Sequence, residues 1–163
     1  MRPIPQAVLP RGFTLIEMLA TLAILGVLAS MVLPVAQVTV QRSKENELRT
    51  SLREIRQAID AYKRAYDGGR VRREIGSTGY PKSLDMLVEG VEDQSDPKHN
   101  KMYFMRRLPR DPLDTRPGVD AADTWGKRSY ASDAADPLEG DDVYDVYSLS
   151  DKVGLNSIAY KRW

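Results

Sequence analysis

The chain has 163 residues, with 24 Lys and Arg against 23 Asp and Glu, a single histidine and no cysteine. That length suffices for one domain plus an additional segment. The near-balance of charge leaves no electrostatic footprint for nucleic acid as a main partner, and a chain without cysteine has no disulfide, thiolate metal site or thiol nucleophile.

The first twelve residues, Met1–Gly12, carry Arg2 and Arg11 and no acid. Phe13–Ala36 is apolar over 24 residues with one charge, Glu17. As a helix it spans about 36 Å at ~1.5 Å per residue, enough to cross a hydrocarbon core of ~30 Å. Positive charge precedes the block and none follows until Arg42, which predicts a cytoplasmic start and the remainder on the far side. Three simpler readings compete. A secretory signal peptide needs small residues at −3 and −1 of its cut, and a cut after Ala36 puts Pro34 at −3. A plain single-pass anchor explains the length and leaves Glu17 without a purpose, although a carboxylate among apolar residues is costly. A buried core helix of a soluble protein is ordinarily shorter and polar on one face.

Arg11-Gly12-Phe13-Thr14-Leu15-Ile16-Glu17 resembles the prepilin peptidase recognition motif of type IV pilins and type II secretion pseudopilins. The resemblance implies cleavage after Gly12, methylation of the new N-terminal Phe13, and Glu17 as the fifth residue of the mature chain. It also matches Gly26, and Pro34 as a helix-kinking proline. In such a family Glu17 of one subunit pairs with the Phe13 ammonium of its neighbour. A buried pair of this kind specifies register more than it stabilises. Pro34 removes a backbone donor and so weakens the helix locally.

Beyond the apolar block, Leu48, Leu52, Ile55, Ile59, Tyr62 and Tyr66 recur at helical spacing, with Arg49, Arg53, Glu54, Arg56, Asp60, Lys63 and Arg64 mostly off that face. This predicts one amphipathic helix running on from Gln37 and ended by Asp67-Gly68-Gly69. The resulting division is a leader over 1–12, a membrane and filament-core helix over 13–36, its amphipathic continuation over 37–67, and a small periplasmic domain over 68–163. Within that domain Gly68–Gly79 reads as a loop and Tyr80–Val88 as a short helix with Pro81 near its start. Strands are expected at Lys101–Leu108, Trp125–Ala131 and Val143–Leu149, the last alternating most clearly, and Asp151–Trp163 is mostly loop. The fold class is α+β, a long helix packed on a small antiparallel sheet.

Leu108-Pro109-Arg110-Asp111-Pro112, Trp125-Gly126 with Tyr130, the strand Tyr144–Leu149 and Trp163 resemble the globular domain of the major (G-type) pseudopilin of type II secretion, with Arg70–Thr78 as an insertion. The resemblance implies a calcium ion in the loop after the last strand. Leu149 (through its carbonyl), Asp151 and Asn156 are the candidate ligands, in a loop poorer in acids than the family's, while calcium takes six to eight oxygens.

Nothing recommends an enzyme. The chain has no glycine-rich phosphate loop and no HExxH, and its lone His99 sits in a polar stretch. The dense acids of Asp133–Asp145 and the basic clusters Arg70–Arg73 and Arg106–Arg110 read as solvated loops. Loss of Arg2 and Arg11 would take the formal charge from +1 to −1. The expectation is an inner-membrane, single-pass subunit of a pseudopilus. Its partners are the prepilin peptidase, other copies and pseudopilins, and the inner-membrane assembly platform, with no nucleic acid. The alternatives are a type IV or minor pilin for adhesion, motility or DNA uptake, and an anchored binding module that never assembles.

Overall fold

The computed structural model describes residues 12–163, without the side chains of 31–35. The expected leader, Gly12 apart, and the side chain of Pro34 therefore lie outside the described residues. The elements are helix α1 (Leu15–Asp67), helix α2 (Asp85–Glu89) and strands β1 (Val91–Glu92), β2 (Lys101–Met102), β3 (Trp125–Arg128) and β4 (Asp145–Ser148). Contacts divide the chain into two units, one ending at Val40 and one comprising Gln41–Trp163.

Among the described residues up to Val40 the large apolar side chains are exposed. From Leu15 to Leu28 they are 56–78% exposed. Among the described residues no helix is long and apolar enough to cross a membrane.

In the second unit the apolar stripe is the core. Leu48, Leu52, Ile55, Ile59 and Tyr62 are buried, joined by Ala58 and Ala65 and covered by Leu84, Leu87, Trp125, Val143, Val146 and Tyr160. Tyr66, the last stripe residue, is half-buried. Helix α1 stops because Gly69 turns left-handed (φ 73°). The Arg70 N–H then donates to the Ala65 carbonyl at 2.9 Å and the Gly69 N–H to that of Tyr66 at 3.0 Å, the paired bonds that close a glycine-capped helix end.

The strands form two antiparallel pairs, β1–β2 and β3–β4. In the second, Trp125 faces Ser148, Gly126 faces Tyr147, Lys127 faces Val146 and Arg128 faces Asp145. The strand expected over Lys101–Leu108 is cut to Lys101–Met102. Phe104 and Met105 instead both donate their N–H to the Leu87 carbonyl at 3.0 Å, so the backbone leaves the ladder to close over α2. The short helix likewise begins only at Asp85. Pro81 is buried and its carbonyl accepts from the Val143 N–H at 2.7 Å, which ties that segment to the approach to β4.

Candidate functional site

The head of α1 is set by its first residues. Gly12 is exposed, with open space where a side chain would stand. Phe13 is 78% exposed. Both precede the helix, so the backbone at the Gly12–Phe13 bond is not shielded by helical hydrogen bonds. Thr14 then caps α1. Its Oγ1 accepts from the Glu17 N–H at 3.3 Å and its carbonyl from the Met18 N–H at 3.2 Å. The Thr14-Leu15-Ile16-Glu17 spacing is that of a capping box, and it also puts the Glu17 carboxylate in the first turn, where free N–H groups favour negative charge. This capping role is an addition to the sequence reading, which weighed Glu17 only as a filament acid, although the T-x-x-E spacing carried the signal. Among the described residues Glu17 makes no ion pair.

The C-terminal loop is held by Tyr160, packed on Trp163, together with a residue outside the three candidate ligands. Leu149, Asp151 and Asn156 are all exposed. The Asn156 side-chain oxygen is committed to the Ile158 N–H at 3.1 Å. The loop closes on itself through a bridge between Val153 and Ala159, with the Gly154 N–H donating to the Ile158 carbonyl at 2.9 Å and the Tyr160 N–H to that of Lys152 at 3.2 Å. It is then fastened to α1 by Glu45, which is 6% exposed. One Glu45 oxygen, Oε1, accepts from the Leu155 N–H at 2.8 Å, the Tyr160 hydroxyl at 2.9 Å and Gln41 Nε2 at 3.1 Å.

These donors do not fit a calcium shell. Of the three expected ligands only Asp151 is a carboxylate, and the Asn156 oxygen is already used. Among the described residues no three His, Cys, Asp or Glu side chains are grouped to hold a metal, against the six to eight oxygens calcium requires. The nearby carboxylate Glu45 faces hydrogen-bond donors instead. Burial pushes its acidity toward the neutral form. The bonds from Leu155, Tyr160 and Gln41, with the charge of Arg49, outweigh this and hold the carboxyl below the ordinary glutamate range. The signal missed in the sequence was register: Glu45 lies three residues before Leu48, on the buried stripe.

A second carboxylate sits deeper. Asp111 is 2% exposed and accepts from the Ser148 hydroxyl of β4 and, at 2.8 Å, from the Leu113 N–H. Its own N–H donates to Thr124 Oγ1 at 3.1 Å. Desolvation raises its pKa, against the lowering by those hydrogen bonds. Two acids of the stretch expected to be solvated are structural as well. Asp142, 7% exposed, accepts from the Thr78 hydroxyl and the Tyr130 N–H, and Asp145 bridges Arg56 at 2.7 Å and Arg128 at 3.3 Å. The Arg70–Arg73 cluster is also partly engaged, through Arg70 with Asp93 and Arg73 with the Asp67 carbonyl at 3.0 Å. His99 is an exposed loop residue at φ 50°.

Residues 10–33 match the family described as the prokaryotic N-terminal methylation motif. They span Gly12, Phe13 and Glu17. The chain is 30% identical over 133 residues to type II secretion system core protein G of Pseudomonas aeruginosa, covering 79% of this chain and 86% of the relative. It is 31% identical over 106 residues to the protein of that name from Klebsiella pneumoniae, covering 63% and 68%, and 26% identical over 147 residues to that from Klebsiella michiganensis, covering 87% and 96%. No solved structure matches it. With the exposed apolar helix, the motif at its head and relatives matched over most of their length, the chain belongs to the family of type II secretion system core protein G.

Proposed function

We propose that the chain is a structural pseudopilin and not an enzyme. It is cleaved after Gly12, methylated at Phe13 and polymerised through α1 into the pseudopilus of a type II secretion system. The observation that carries this reading is the uncovered apolar helix, with side chains from Leu15 to Leu28 more than half exposed. So large an apolar surface demands a cover that the described residues do not supply. Before assembly the cover is lipid of the inner membrane, with Gln41–Trp163 in the periplasm. After assembly it is the same segment of neighbouring copies.

The head chemistry suits that exchange. Cleavage leaves an ammonium at Phe13, and Glu17 of a neighbouring copy is its counter-ion. The low dielectric of a helix bundle strengthens the attraction well above its value in water. Isolated in lipid, Glu17 is compensated only by the first-turn N–H groups, so the carboxylate favours assembly and a fixed register. Pro34, which lacks a backbone donor, lets the helix bend on leaving the membrane. Its partners on this reading are the prepilin peptidase, further copies and other pseudopilins, and the inner-membrane assembly platform.

The test is the intact mass of the N-terminal peptide from cells with and without the prepilin peptidase. The expected product begins at Phe13, carries one added methyl and appears only with the enzyme. A chain that keeps Met1–Gly12 in both strains would overturn the reading. Glu17→Ala is expected to leave processing intact and abolish filaments.

A further inference from the structure

The Gln41–Trp163 unit carries a groove that the assembly chemistry above does not use. It holds about 450 Å³, and its lining includes Arg49, Arg53, Arg162 and Trp163 together with the apolar Leu52 and Ile158. Its polar groups are donors. The side chains of Arg53 and Arg162 make no hydrogen bond or ion pair among the described residues. The Arg49 guanidinium lies 4.4 Å over the Trp163 ring, and Trp163 Nε1 is buried without an acceptor. The side-chain acceptor of the groove, the Asn156 oxygen, is taken by the Ile158 N–H. Arg56, which also lines the groove, is paired with Asp145 and with the Trp163 carbonyl, but the side chains of Arg53 and Arg162, beside apolar neighbours, fit a segment that brings carboxylates and one apolar residue.

We infer that the groove receives the Asp133–Asp141 segment of a second copy of this chain, an inference that rests on reading the chain as a polymer subunit. That segment exposes Asp133, Asp136, Glu139 and Asp141 around Leu138, itself 60% exposed. Asp136, Glu139 and Asp141 make no ion pair among the described residues. In its own chain the segment is anchored by Asp142 to Thr78 and Tyr130, and Gly79 beside them is packed against Lys63 and Tyr66, ten and thirteen residues along α1 from Arg53. At ~1.5 Å per residue the offset is about 15–20 Å. Two complementary patches at different places on one chain make a head-to-tail contact that propagates instead of closing, as a filament needs. Solvent-exposed ion pairs hold little affinity. The contact therefore sets the order and register of globular domains while α1 supplies the burial.

The chain lacks cysteine, so disulfide trapping reads this contact without background. The full-length double variant Leu138→Cys with Ile158→Cys, oxidised in cells that process and assemble the protein, is expected to give a ladder of covalent multimers. Either single variant gives none beyond dimers. Adding Arg53→Glu with Arg162→Glu should weaken the ladder by about tenfold or more, because like charges then face each other. Adding Asp136→Arg with Glu139→Arg to that chain should restore it, which also shows that the reversed chain still folds. Filaments seen by electron microscopy without a ladder overturn the pairing and leave the polymer reading standing. Absence of both filaments and ladder overturns both. A ladder indifferent to charge reversal, in a chain whose retention on anionic phospholipid vesicles is lost by that reversal, makes a lipid headgroup the occupant and overturns the inference.

Discussion

Glu45→Ala isolates the fastening of the C-terminal loop. The substitution removes one oxygen that accepts from the Leu155 N–H, the Tyr160 hydroxyl and Gln41 Nε2 at 2.8, 2.9 and 3.1 Å. Bonds to a charged acceptor are worth about 1.5–3 kcal/mol each, and a buried donor left unpaired costs about 1–3 kcal/mol. Tyr160 is 2% exposed, so its hydroxyl proton loses its acceptor in full, and the bond the oxygen accepts from Gln41 at 3.1 Å does not replace it. Leu155 is exposed, and water replaces its bond. The carboxylate's own desolvation is recovered. The expected net loss is about 2–4 kcal/mol. At ~2.1 cal/mol/K per residue over the 123 residues of Gln41–Trp163, this lowers Tm by about 8–15 °C. The assay is thermal unfolding of the full chain in detergent, followed by the fluorescence of Trp125 and Trp163 together, the ring of Trp163 lying 5.0 Å from that of Tyr160.

The pH dependence checks the same bonds independently. Because folding holds the Glu45 carboxyl below its ordinary range, its contribution is complete above about pH 4.3 and is lost as pH falls from there through the folded value. Glu45→Gln keeps an acceptor but not the charge, so it should lose roughly half as much stability at neutral pH and flatten the acid limb. A Glu45→Ala chain melting within about 2 °C of the parent would show that the loop is held by something else, and the reasoning would fail.

If Glu45 holds the loop, calcium chelation should move Tm by less than about 1 °C, within the error of a melt; a large fall on adding chelator would restore the ion that the resemblance implied. Gly126→Ala drives a methyl carbon into the Tyr147 ring and should cost about 1–3 kcal/mol, with a double-mutant cycle against Tyr147→Ala returning much of it. Asp111→Asn should be neutral or slightly stabilising at pH 7. Desolvation raises the Asp111 pKa, so its contribution is present below the unfolded carboxylate value near 3.9 and declines as pH rises through the folded one. The Asn variant should lack that decline in melts across the range. Thr14→Val removes the cap acceptor for the Glu17 N–H and should fray the first turn at a cost of about 1 kcal/mol, seen as faster amide exchange at Leu15–Glu17.

Much of the molecule was legible because it is written locally. A helical period needs only neighbours three and four apart, so the stripe Leu48–Tyr66, its end at Gly68-Gly69 and the apolar block before it followed from spacing alone. The motif Gly12-Phe13-Thr14-Leu15-Ile16-Glu17 is likewise contiguous, since a processing enzyme reads chain order. What only the tertiary structure decided are the polar contacts between distant segments. Glu45 meets Leu155 and Tyr160 across more than a hundred residues, and Asp111 meets Ser148 across 37. No period announces such pairs, because a buried carboxylate is tolerated wherever donors converge and a solvated one looks the same in sequence. The short strand was decided in the same way. Lys101–Leu108 has the composition of a strand, yet the Leu87 carbonyl offers Phe104 and Met105 a partner outside the ladder, and only the fold brings that carbonyl within reach.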